Sequence, residues 1–126
     1  MGLVYTDTEV FNIKGDIDSY VKSFLVDTGA TDTVISSDEL EKIGIIRERK
    51  QNYELADGQV VSYDVGFAII KVEGIKVAAN VVFGDKGIEP LLGVTVLETA
   101  GLMVDPTQKV LRKVTAIPLK QQKEEL

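Results

Sequence analysis

The sequence predicts a mainly β fold, a closed, barrel-like sheet accompanied by two short helices. Three observations carry that reading. Extended runs rich in Val, Ile, Thr, Tyr and Phe recur along the chain, Gly- and Asp-containing turn signals separate them at regular spacing, and only two short stretches carry helix punctuation. At 126 residues the chain fits one domain with a single core. That domain is expected over residues 1–118, followed by a polar tail over 119–126.

Taken in order, Val4 to Phe11 is rich in β-branched and aromatic residues and runs into the turn signal Lys14-Gly15-Asp16, so it reads as a strand and a turn. Tyr20 to Val26 is a second strand, and Thr33-Val34-Ile35 resumes extended structure beyond a tight bend at Gly29. Ser36-Ser37-Asp38-Glu39 has the form of a capping box, with Ser36 as N-cap and Glu39 three residues on, predicting a helix over Ser37–Ile43 that stops at Gly44. Two extended runs, Ile45–Leu55 and Val60–Ile70, flank Ala56-Asp57-Gly58-Gln59, and Asp-Gly between β-rich flanks is a strong hairpin signal. A further hairpin turns at Glu73-Gly74 between Ile69–Val72 and Lys76–Phe83, and Gly84-Asp85-Lys86-Gly87 is a plain turn. Pro90-Leu91-Leu92-Gly93 leads to a second short helix over Thr95–Ala100, then Leu102-Met103-Val104, Asp105-Pro106 and a last strand over Gln108–Val114.

Composition narrows the chemistry. The chain has no Cys and no His. A thiolate nucleophile, a Ser-His-Asp triad, a thiolate or imidazole zinc site and a disulfide framework are therefore all excluded, and catalysis falls to carboxylates, Lys, Tyr or hydroxyls. A net charge of −6 argues against nucleic acid, whose phosphates are bound by clustered basic side chains. Arg47-Glu48-Arg49-Lys50 is too short and too interrupted to serve. No apolar run approaches the length of a membrane span, and nothing near Met1 has the form of a signal peptide. No metal or cofactor is expected: Asp57, Asp64 and Asp85 fall in different turns and strands without ligand spacing. Without an export signal or Cys, the expected location is the cytoplasm.

One stretch stands apart. Phe24-Leu25-Val26-Asp27-Thr28-Gly29-Ala30 sets a carboxylate at the end of an apolar strand, where an unpaired charge is costly to bury and therefore calls for a partner or a use. Asp27-Thr28-Gly29-Ala30 resembles the active-site motif of aspartic proteases, and Pro90-Leu91-Leu92-Gly93 is similar to the apolar-apolar-Gly segment lying behind that motif. With the Asp57-Gly58 hairpin between the two and a helix directly after Gly93, the resemblance spans residues 3–115. It is to the single-domain, retropepsin-like branch, as a cellular or prokaryotic member, and it implies the retropepsin (acid protease) fold.

The resemblance implies an aspartic endopeptidase acting on polypeptides, with Asp27 as the catalytic carboxylate. Hydrolysis by carboxylates needs one base and one acid close enough to share a proton, and this chain offers a single Asp-Thr-Gly. A homodimer that apposes Asp27 of both protomers on a two-fold axis supplies the pair. By resemblance, Thr28 hydrogen-bonds across that axis, the Gly29 carbonyl binds substrate main chain, and small Ala30 leaves room beside the dyad. Ala56, Asp57, Gly58 and Gln59 form the tip of a flap that closes over substrate, and Val34, Leu91 and Leu92 line pockets. Asp32 reads as a turn or helix-lead residue that could alternatively meet a substrate side chain. Viral members have an Asp two residues after the motif Gly and an Arg after the second Gly, which pair. Here Thr31 and Val94 stand there, so no charge is stranded and the loop must be braced differently. The competing reading is a retropepsin-like dimer kept as an inactive binding or scaffolding module.

Overall fold

The computed structural model describes residues 3–15 and 18–119. The expected tail from Lys120 onward, and Asp16 of the first turn, lie outside the described residues. Chain order is β1 (Tyr5–Phe11), β2 (Ser19–Val26), β3 (Thr33–Ser36), α1 (Ser37–Lys42), β4 (Arg49–Glu54), β5 (Val60–Val72), β6 (Ile75–Gly84), β7 (Leu91–Leu92), α2 (Val94–Ala100), β8 (Leu102–Asp105) and β9 (Val110–Lys113). A seven-stranded sheet runs β1-β2-β7-β3-β6-β5-β4, and β1 also pairs with β5. That extra pairing closes six of the strands into a barrel-like ring and leaves β4 on its edge. β8 and β9 form a separate two-stranded sheet. None of the described helices is long and apolar enough to cross a membrane.

The expected strands are present because their alternation faces one core. In β1 the inward set is Thr6, Thr8 and Val10, and the buried Thr8 hydroxyl meets its polar requirement by donating to the Thr6 carbonyl at 3.1 Å. The core joins Val10, Phe24, Ile35, Leu40, Ile70, Val81, Leu92 and Val96 from both helices and all six strands of the ring. Burying such side chains contributes roughly 1.5–3 kcal/mol each against the entropy of ordering the chain.

Four expectations change in detail. Val60–Ile70 and Ile69–Val72 are one 13-residue strand. Its covered residues are Val61, Tyr63 and Val65 toward the tip, then Gly66, Ala68, Ile70 and Val72, so the inward face switches where β5 leaves β4 for β6. The run Ile45–Leu55 is paired only from Arg49, because its first residues are drawn into the core and against α1: Ile45 is buried, its N–H donates to the Leu40 carbonyl at 3.0 Å, and Arg47 lies over the Phe83 ring at 4.3 Å. The capping box does not form. The Ser36 hydroxyl is bound to the Asp38 carboxylate and accepts the Gly87 N–H at 2.9 Å, and Ile43 lies just past the helix end. The last strand starts at Val110 rather than Gln108, since Asp105 Oδ1 accepts the N–H groups of Thr107 and Gln108, both at 3.0 Å, and holds them in the turn.

Candidate active site

β2 ends at Val26, so the loop from Asp27 to Asp32 begins where the ring strand stops. β7 is wedged between β2 and β3, parallel to the first (Leu25↔Leu91, Val26↔Leu92) and antiparallel to the second (Val34↔Leu91). The Asp27 N–H continues that ladder by donating to the Leu92 carbonyl at 3.0 Å. Beyond it the loop folds back on itself: the Ala30 N–H donates to the Asp27 carbonyl at 3.1 Å, and the Gly29 N–H donates to Asp27 Oδ1 at 3.0 Å. A backbone donor on one carboxylate oxygen fixes the side chain's direction. Asp27 and Ala30 are half-buried, while Thr28 and Gly29 are exposed.

The loop is strapped to the start of α2. Ala30 O accepts the Val94 N–H at 2.8 Å, Thr31 O accepts the Thr95 N–H at 3.2 Å and the Thr95 hydroxyl at 2.8 Å, and the buried Thr33 hydroxyl accepts the Gly93 N–H at 3.0 Å. First-turn amides of a helix lack partners inside the helix, and here the loop supplies them. This is the bracing in place of an Asp–Arg pair at Thr31 and Val94. Gly93 sits so close that a Cβ there would lie 2.5 Å from the Asp32 carbonyl carbon.

Of the residues expected to line pockets, Val34 and Leu91 are half-buried. Leu92 is fully buried in the main core, so it supports the loop from beneath and has no surface to offer a ligand. Ala56, Asp57, Gly58 and Gln59 form the exposed tip of the β4–β5 hairpin. There the Gly58 N–H donates to Leu55 O and the Leu55 N–H to Gln59 O, both at 2.8 Å, with Gly58 at φ +85°. A cleft of about 360 Å3 is lined by Asp32, Phe67, Asn80, Thr95 and Thr99, among others, and Asp27 lies outside it.

Asp32 does more than lead into β3. Its Oδ2 accepts the Tyr53 hydroxyl at 2.7 Å, linking the loop from Asp27 to Asp32 to β4. Partial burial, reinforced by that hydrogen bond, pushes the Tyr53 phenol well above its usual range and keeps it a donor. Tyr53 stands at the start of the hairpin expected over Tyr53–Gly66, but its bond to Asp32 is not legible in the sequence, because the partner lies on another element and no local spacing links the two. Among the described residues no cluster of three or more acids could hold a metal ion.

Comparison with known proteins now decides the family. The family model described as "gag-polyprotein putative aspartyl protease" matches residues 13–99, most of the chain, from before β2 to the last turn of α2. The chain belongs to this family. Its fold is the retropepsin-like one: the EIAV protease, solved in complex with the inhibitor HBY-793, superposes with a TM-score of 0.61 at 19% identity, covering 82% of this chain and 93% of that one. At that identity the likeness speaks for the fold. No curated protein matches the sequence.

Proposed function

We propose that this retropepsin-like protein is a homodimeric aspartic endopeptidase. The observation that carries the reading is the loop itself: Asp27 is half-buried, oriented by the Gly29 amide, and held by β7 and α2, yet it has no second carboxylate of its own motif in the chain. A partner protomer supplies one across a two-fold axis. Thr28, exposed in the protomer, lies beside Asp27 where it can meet its counterpart.

In the dimer the two Asp27 carboxyls hold one proton between them, because close like charges cannot both ionise. The ionised Asp27 takes a proton from water, whose oxygen attacks the carbonyl carbon of the scissile peptide, while the protonated Asp27 donates to the carbonyl oxygen. Collapse of the resulting diol breaks the C–N bond, with a proton passing to the departing amine. The Gly29 carbonyl and the hairpin tip from Ala56 to Gln59 would engage the substrate main chain, with the hairpin acting as a flap that excludes water. Val34 and Leu91 offer apolar surface to substrate side chains.

The deciding experiment compares the purified protein with Asp27→Asn on an unfolded polypeptide between about pH 4 and 7. Cleavage by the wild type, with a roughly hundred- to ten-thousand-fold loss in the variant, is expected. Equal cleavage by both proteins, or none by a demonstrably dimeric wild type, overturns the protease and leaves the binding or scaffolding module.

A further inference from the structure

We infer that Tyr53 and Asp32 form a latch that holds the arm of the β4–β5 hairpin down on the active-site loop, making Tyr53 a positioning residue for substrate capture. The inference rests on the endopeptidase reading only for its functional consequence.

The hairpin needs such a tether. From Val65 to Val72, β5 is paired with β6, but from Val60 to Asp64 it pairs with β4 alone. The outer hairpin is thus a two-stranded ribbon, and isolated two-stranded ribbons are marginally stable in water. Its base is secured by Asp64, which accepts Arg47 Nη1 at 2.7 Å and Lys50 Nζ at 2.9 Å. Nearer the tip, Tyr53 is opposite Val61 and shares a face with Tyr63, whose ring centroid is 6.5 Å away. These three residues are half-covered, whereas Glu54, Val60 and Ser62 are exposed, so this face is the underside. Among the described residues, the 2.7 Å bond from the Tyr53 hydroxyl to Asp32 is the one side-chain hydrogen bond between the hairpin and the loop from Asp27 to Asp32.

The bond has the character of a latch. It joins a phenol to a carboxylate, and a charge-assisted bond is stronger than a neutral one. Asp32 precedes Thr33, whose hydroxyl accepts the Gly93 amide, so the acceptor end is anchored by the strap that holds Asp27. Breaking the bond frees the arm without disturbing that strap. A binding-competent state populated less often raises the apparent dissociation constant in proportion, while the chemical step in the closed complex is unchanged.

The test uses Tyr53→Phe, which keeps the ring on Tyr63 and removes only the hydroxyl, and Asp32→Asn, which keeps an acceptor oxygen. Hydrogen exchange in the full-length protein is read at the Leu55 and Gly58 amides, together with steady-state cleavage of an unfolded polypeptide. In Tyr53→Phe the hairpin amides should exchange roughly three- to ten-fold faster and KM should rise by a similar factor with kcat nearly unchanged. Asp32→Asn should fall between that variant and the wild type. Unchanged exchange in Tyr53→Phe, or a loss confined to kcat, overturns the latch. If the wild type cleaves nothing, the exchange measurement still decides the latch while the endopeptidase reading fails separately.

Discussion

At the scale of single residues, the site depends on contacts that leave almost no room for change. Gly93 is pressed against the Asp32 carbonyl group, so Gly93→Ala must displace either the loop or α2. Overpacking of this kind should cost about 1–3 kcal/mol in denaturant unfolding and remove activity with it. The neighbouring Thr33 is fully buried and its hydroxyl is the acceptor for the Gly93 N–H. Thr33→Val keeps the shape but strands that amide, with an expected loss of about 1–3 kcal/mol, whereas Thr33→Ser, which keeps the acceptor, should retain most of the stability. Asp27, Gly29 and Gly93 were legible in the sequence because each belongs to a short motif whose chemistry is local. Asp32 was visible as a turn or helix-lead acid that could alternatively meet a substrate side chain, but its bond to Tyr53 was not, since that partner lies on another element.

At the scale of elements, two hairpins make separable predictions. Gly58 closes the β4–β5 tip at φ +85°, a region that costs a residue with a Cβ roughly 1–2 kcal/mol. Gly58→Val should therefore loosen the tip, seen as faster exchange at the Leu55 amide, while the core strands exchange as before. The β8–β9 turn is organised by Asp105, whose carboxyl is held below the usual range by the Gln108 amide first and Arg112 next. A depressed folded-state pKa contributes stability that is complete above the unfolded carboxylate value of about 3.9 and disappears as pH falls through the folded one. The Thr107 and Gln108 amide resonances should thus be constant from neutral pH down to about 5 and shift only below about 4, and Asp105→Asn should abolish that titration. Asp64, lowered by Lys50 and then Arg47, follows the same sign at the base of the β4–β5 hairpin.

At the scale of the whole molecule, the proposed chemistry belongs to a pair of chains. Specific activity should rise with protein concentration and level off in parallel with the dimer fraction measured by sedimentation. Adding one equivalent of Asp27→Asn to wild type, at concentrations where every chain is paired, should lower activity by roughly half, because random exchange places half of the wild-type chains in mixed dimers. Activity unaffected by the variant would mean that each chain carries a complete site. The ring leaves Asp27 half-buried at the end of β2 and buries Leu92 beneath it.

The sequence alone determined the strands whose alternation faces one core, the turns at Gly58 and Gly74, the second helix, and the acid motif with its apolar-Gly counterpart, because periodicity, turn geometry and motif chemistry are written over a few neighbouring residues. What those pieces do to one another is set by contacts between elements far apart in the chain. The wedging of Leu91-Leu92 between β2 and β3, the closure of β1 on β5, the diversion of the Ser36 hydroxyl to Asp38 and Gly87, the strap from Ala30 and Thr31 to α2, and the bond from Tyr53 to Asp32 all join residues that local pattern cannot relate. Each is settled by which polar group or apolar face is left to satisfy once the chain has closed.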